Sequence, residues 1–201
     1  MKIFAFVDLH GNFSILKQII EQIKMQKPEL ILCCGDFTNW GQDSDKVLSH
    51  LDKLNLPVLV VFGNHETNEM INKAEIRFKN IVNLHKRFYH YKNYLFVGFG
   101  GGGFGSRDVS LEIFSKKIKK EFNKYRDCEK ILLTHRPPYN TSLDIVQGYG
   151  HTGDKTLTNL LRNSRFNYLF CGHLHENAKK TDILNKTIII NPGPDGEFIE
   201  I

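Results

Sequence analysis

The sequence predicts an α/β fold, and three observations carry that prediction. Five apolar runs rich in β-branched and aromatic residues stop abruptly at polar clusters. Helical periodicities separate the first three of these runs, and the runs are continuous rather than alternating, as in strands buried on both faces. Alternation of strand and helix implies parallel β-α-β units with right-handed crossovers, whose ligands gather at the carboxyl ends of the strands.

The first run, Phe4 to Val7, leads into Asp8 Leu9 His10. A helix follows over 14–25, with Ile15, Ile19, Ile20 and Ile23 on one face, and Pro28 closes it. The second run, Leu30 to Cys34, leads into Gly35 Asp36 and then a helix over 44–54. Pro57 precedes the third, Val58 to Phe62, which ends in Gly63 Asn64 His65 Glu66 before a helix over 67–78. Short strands, expected to be antiparallel, occupy 81–99. A helix over 109–125 places Leu111, Phe114, Ile118 and Phe122 at helical spacing, so the lysines of 116–120 form its wet face rather than a nucleic-acid patch. The fourth run, Ile131 to Thr134, leads to His135, Arg136 and a Pro137 Pro138 loop. After a helix over 155–163, the fifth run, Tyr168 to Cys171, leads to Gly172 His173 Leu174 His175. A hairpin is expected at the end, Thr187–Ile190 turning through Pro192 to Gly196 into Phe198–Ile201.

At 201 residues and 23.3 kDa, without a linker or repeat, the chain is expected to form a single domain over 1–201. The net charge of +5 is compatible with anionic partners, but the lysines are dispersed. Cys33, Cys34, Cys128 and Cys171 lack CxxC spacing, and three of them sit in apolar runs, which points to a reducing, cytoplasmic setting. No apolar run is long enough for a signal peptide or a membrane span, so no membrane partner is expected.

The polar clusters collect Asp8, His10, Asp36, Asn64, His135, His173 and His175, seven oxygen and imidazole donors. That is too many for one ion with room for substrate, and it suits two divalent ions sharing a carboxylate, with Asp36 as the natural bridge. If Asp8 and His10 lie on a strand they share a face, as do His173 and His175. The donor set selects no single metal: manganese comes first, with iron, zinc, cobalt or nickel as alternatives.

In this order the motifs resemble the calcineurin-like metallophosphoesterase superfamily, and the short length with Asn191 Pro192 Gly193 is similar to its small prokaryotic members. The resemblance implies a four-layer α/β/β/α sandwich of two mixed sheets with the metals at one edge. It implies Asp8, His10 and His175 on one ion, Asn64, His135 and His173 on the other, and Asp36 between them. Such ions acidify a bridging water, whose hydroxide attacks phosphorus in line. His65, turned away from Asn64, is the candidate general acid for the leaving group. Many relatives carry a carboxylate three residues after the bridging Asp to orient this His; here that position is Asn39.

Asn12, Asn39, Arg136 and His151 are candidate substrate contacts, Arg136 as an anion clamp and His151 as a cleft-lining ring. The glycine-rich stretch 98–105 matches GxGxxG, yet it does not follow the first strand, so it reads as a loop beside the metals with Phe99 or Phe104 free to stack on substrate. His50, His85 and His90 carry no expected role. The function expected is a metal-dependent phosphodiesterase acting on a small phosphate ester or a nucleotide, with oligomeric state open. A catalytically silent protein-binding scaffold is the alternative of another class, against which the retained His65 argues. A DNA-repair nuclease is another, but such enzymes add a capping region and this chain ends at Ile201.

Overall fold

The computed structural model describes every residue except Phe104. Its first half runs β1 (Lys2–Phe6), α1 (Phe13–Gln26), β2 (Leu30–Cys33), α2 (Ser44–Asp52), β3 (Val58–Val60), α3 (Asn68–Arg77), β4 (Ile81–Asn83), β5 (Phe88–Tyr91) and β6 (Tyr94–Phe99). The second runs α4 (Val109–Lys124), β7 (Glu129–Thr134), β8 (Ile145–Val146), β9 (Gly150–His151), α5 (Lys155–Asn163), β10 (Tyr168–Phe170), a 3₁₀ turn (His175–Asn177), β11 (Thr181–Leu184), β12 (Thr187–Ile190) and β13 (Glu197–Glu200).

Two mixed sheets face each other, one ordered β13-β1-β2-β3-β4 and the other β11-β12-β10-β7-β6-β5. Strands β1 to β4 run parallel, as do β6, β7, β10 and β12, and antiparallel strands occur only at the edges. Strands β8 and β9 form a separate small ribbon.

Alternation along β1 explains why its run is wholly apolar. Phe4 and Phe6 pack toward α1, α2 and α3 through Leu16, Ile19, Leu48, Leu51 and Ile71. Ile3, Ala5 and Val7 turn the other way, onto Phe96, Ile131, Leu133 and Phe170 of the second sheet. That sheet's outer face, with Leu95, Val97, Leu132 and Leu169, is covered by Leu111, Phe114 and Ile118 of α4 and Leu157 and Leu161 of α5. The result is the expected α/β/β/α sandwich. Each fully buried Leu, Ile or Phe in these layers contributes roughly 1.5–3 kcal/mol.

Two sequence expectations are corrected. The final strands do not form a hairpin: β12 lies parallel to β10 in the second sheet, whereas β13 pairs antiparallel with β1 in the first. The Pro-Gly turn between them crosses from sheet to sheet, with Val7 N donating to Gly193 O at 3.1 Å. The hairpin that does form is β11 with β12. The region 81–99 is also only partly antiparallel, because β4 extends the first sheet parallel to β3 and only β5 and β6 pair antiparallel. Among the described residues no helix is long and apolar enough to cross a membrane.

Candidate metal centre

The loops after β1, β2, β3, β7 and β10 end at one edge of the sandwich, and there the seven donors meet. Asp8, His10 and His175 form one group of mutually close ligand atoms, Asp36, His135 and His173 another, and His10, Asp36 and His65 a third. Strand alternation is not what aims them. Asp8, His10, Asp36 and His173 all lie beyond their strands with positive φ of 56°, 48°, 48° and 73°. Left-handed backbone at non-glycine residues is uncommon and persists where surrounding structure enforces it, as at functional sites.

Two glycines allow the loops to close. A Cβ at Gly63 would lie 2.1 Å from Asp36 Oδ1, and one at Gly172 would lie 2.7 Å from Asp8 Oδ2. Buried Glu66 fastens the same place: it accepts from the N–H groups of Asp36 (3.0 Å), Thr38 (2.8 Å) and Gly63 (3.1 Å) and from the Thr38 hydroxyl (2.7 Å). Burial raises its carboxyl above the ordinary value, against the pull of these donors.

The polar atoms at the centre suit cations. Asn64 Oδ1 lies 3.1 Å from His135 Nε2 and 2.9 Å from His173 Nδ1, and Asp36 Oδ2 lies 3.3 Å from His135 Nε2. His135 Nδ1 is 3.0 Å from the Cys34 carbonyl, the contact that leaves Nε2 of a neutral ring as a lone pair facing other acceptors. His10 Nε2 faces His175 Nε2 at 3.0 Å. Asp8 Oδ2 accepts from His173 N at 2.9 Å, while the buried Asp8 Oδ1 has no hydrogen-bond partner. A buried, unpartnered carboxylate oxygen is costly, and a cation ligated there would remove that cost. The residues therefore fit a pair of divalent ions.

The titrating groups of the centre act strongly on one another. Burial raises Asp8, with His135 and His175 opposing. Burial also works on Asp36, but His135 and His65 outweigh it and hold that carboxyl at about 2. His135, whose burial disfavours charge, is raised by Asp36 and Asp8. Burial lowers His10, and burial together with His135 and Arg136 lowers His173 to about 4, which keeps these imidazoles neutral and ready to ligate near neutral pH.

His65 Nε2 points toward Asp36 Oδ2 at 3.9 Å. Its Nδ1 accepts from the backbone N–H of Trp40 at 3.1 Å. A donor therefore stands where many relatives offer a carboxylate, and Asn39 itself is exposed. Of the other candidate contacts, Asn12 caps α1, its Oδ1 accepting from Ser14 N and Ile15 N at 3.1 Å each. The guanidinium of Arg136 is buried and donates to the carbonyls of Gly105 (2.5 Å) and Thr152 (3.4 Å), with Asp154 Oδ2 at 3.5 Å. Arg136 also lines a cleft of about 420 Å³ with Gly103, Val146, Tyr149, Leu174 and the ligand candidate His173. His151 is exposed on the ribbon and bonded to buried Asp144 at 2.6 Å.

The glycine loop does lie against the ligands, since a Cβ at Gly102 would sit 2.9 Å from His135 and 3.1 Å from Asn64 Oδ1. Phe99, however, is buried among His85 and Phe114 and is not free to stack; Phe104 lies outside the described residues. His85 has a role that its position in the sequence did not suggest. It accepts from Gly100 N at 2.9 Å and packs between Phe62 and Phe99, so it props the glycine loop.

Comparison with known proteins places the chain in a family and a fold. The chain is 31% identical to the uncharacterized protein MJ1162 of Methanocaldococcus jannaschii over 99% of this chain and 91% of that one. It is 25% identical to a protein of Arcobacter nitrofigilis named as a probable glycerophosphodiester phosphodiesterase, over 92% of this chain and 69% of that one. A symmetrical bis(5'-nucleosyl)-tetraphosphatase of Wigglesworthia glossinidia brevipalpis is 37% identical over 78 residues, 38% of this chain and 29% of that enzyme. The fold is that of TT1561 of Thermus thermophilus (TM-score 0.76, 17% identity, 96% and 89% covered) and of a dimetal phosphatase from Danio rerio (0.69, 11%, 94% and 86%). With residues 1–177 matching its family profile, the chain belongs to the calcineurin-like phosphoesterases.

Proposed function

We propose that the protein is a dinuclear-metal-dependent phosphodiesterase. Asp8, His10 and His175 would hold one divalent ion, Asn64, His135 and His173 the other, and Asp36 both. One observation carries this reading: Asp36 Oδ2 lies between His135 Nε2 (3.3 Å) and His10 Nε2 (4.0 Å), one from each ligand group. Two ions bound there would supply Lewis acidity toward the phosphoryl oxygens and toward the attacking water. Manganese is the first expectation, with iron, zinc, cobalt or nickel as alternatives, since oxygen and imidazole donors do not choose among them.

His65 serves the leaving oxygen through Nε2–H. The Trp40 N–H donates to Nδ1 and so turns Nε2 toward the leaving oxygen, and removal of His65 should cost about 10²-fold, the low end for such groups. The lean toward diesters rests on this His, needed most by a poor alkoxide leaving group, and on the Arcobacter relative, named for a phosphodiesterase. The substrate is a small phosphate ester or nucleotide. Arg136, tied to two carbonyls, holds the cleft wall rather than clamping an anion. The buried thiols of Cys33, Cys34 and Cys171 suit a reducing cytoplasm.

The test is metal analysis of purified protein and an assay with bis-p-nitrophenyl phosphate, a glycerophosphodiester and a monoester in manganese. His65→Ala should keep its metal and lose about 10²-fold in turnover of the glycerophosphodiester. Asp36→Ala should lose metal and turnover together. Unchanged turnover in the first variant removes His65 from the mechanism, and unchanged metal content in the second removes the shared carboxylate.

A further inference from the structure

Trp40 is the only tryptophan in the chain, and it is 70% exposed. Its indole stacks on His65, with ring centroids 4.2 Å apart and planes inclined by 26°. The residue is held in this pose by a tight, left-handed turn, with φ of 51° at Trp40 and 77° at Gly41. Trp40 N donates to His65 Nδ1, Gly41 N to Thr38 Oγ1 at 3.0 Å, and Gln42 N to Asn39 O at 3.1 Å. Met70 closes the turn from below, because a Cβ at Gly41 would stand 2.7 Å from its Cε. The fold thus fixes a large aromatic ring in the open, where it buries little, directly against the histidine beside the metal centre. Large apolar side chains are normally covered, and rigid exposed ones favour a ligand's planar surface.

The geometry points to Trp40 as a stacking platform for a planar ring carried by the leaving group, and so to phosphate esters of nucleosides as the substrate class. The inference rests on the proposed role of His65 at the leaving oxygen: what lies over the ring next to His65 is the group bonded to that oxygen. A nucleobase is the planar group that a biological phosphodiester presents there, and every base has a π-face for an indole to use. Stacking of a base on an aromatic side chain is worth about 5- to 150-fold in affinity. Glycerol and other aliphatic alcohols gain nothing from the indole, so Trp40 sets selectivity among diesters with equally poor leaving groups.

The single tryptophan reports on its own contact. Manganese-loaded protein is titrated with AMP and with glycerol 3-phosphate while indole fluorescence is followed, and calorimetry measures both affinities in wild type, Trp40→Ala and Trp40→Phe. Saturable quenching by AMP but not by glycerol 3-phosphate is expected. The preference for AMP should fall by about 5- to 150-fold in Trp40→Ala and return in Trp40→Phe. Absence of quenching by AMP overturns the inference. An equal loss for both ligands in Trp40→Ala also overturns it, because the indole would then act only by bracing His65. The two readings fail separately: no diester turnover with base-selective binding intact sinks the phosphodiesterase, whereas turnover with no base preference sinks the platform.

Discussion

The Glu66 carboxylate receives three backbone N–H groups and one hydroxyl from the segments around Asp36 and Gly63. Its work is to gather backbone donors, and side-chain identities do not reveal where such donors converge. The seven ligand candidates were legible in the sequence because their chemistry resides in the side chain and each follows an apolar run. Thr38, Glu66 and Trp40 lacked that signal. His85 carries no expected role in the sequence because it belongs to none of the motifs; in the fold the glycine loop lies against it. Burial, and next Lys86, lowers its imidazole from the ordinary 6.5 to about 4. The unfolded chain therefore takes up this proton first, so the stabilisation is complete above pH 6.5 and lost as pH falls toward 4. After solvent screening the effect is about 1–2 kcal/mol. Urea unfolding of metal-free wild type and His85→Asn at pH 6.5 and at pH 4 checks this: the acid-induced loss should be smaller in the variant.

The helices were legible to within a few residues, because apolar side chains recur along them at helical spacing and Asn12, Thr67, Asp108 and Asp154 cap four of them. The five strands that end in ligands were equally plain, being apolar on both faces. Strand partners were not: the turn at Pro192 to Gly196 has hairpin composition, yet its carbonyl at Gly193 pairs with Val7 and leads the chain into the other sheet. Nor was the left-handed backbone at Asp8 and His173 readable, since only the closeness of loops from different strands enforces it. Gly172 makes that closeness possible, for an added Cβ would stand 2.3 Å from Val7 Cγ2 and 2.7 Å from Asp8 Oδ2. Gly172→Ala should therefore weaken manganese binding by at least ~10-fold and destabilise the protein by ~1–3 kcal/mol, an overpacking cost. Calorimetric titration with manganese reads the first effect; wild-type affinity would mean that this contact does not aim Asp8.

The two sheets contribute unequal shares of the centre. Asp8, His10, Asp36 and Asn64 come from loops of the first sheet, and His135, His173 and His175 from the second. Bound ions would thus tie the halves of the sandwich together at one edge, while the apolar layer of Ile3, Val7, Phe96, Ile131 and Phe170 holds them elsewhere. The α/β class followed from the alternation of elements, and the four layers from the family resemblance; the contribution of each sheet needed three dimensions. A ligand at a hundred times its Kd adds about 2.7 kcal/mol to stability. Stripping the metal with EDTA should therefore lower Tm by about 5–10 °C, and manganese should restore it. Differential scanning calorimetry decides, and an unchanged Tm would mean that the ions do not bridge the halves.

The β8–β9 ribbon belongs to neither sheet, so its length is not bound by any strand register that aims a ligand. Val146 and Tyr149 nevertheless form part of the cleft wall beside His173. If substrate lies in that cleft, specificity can drift in this appendage while the metal ligands stay constant. A laboratory seeking to redirect the enzyme would graft new sequence between Ile145 and His151 before altering any of the strands.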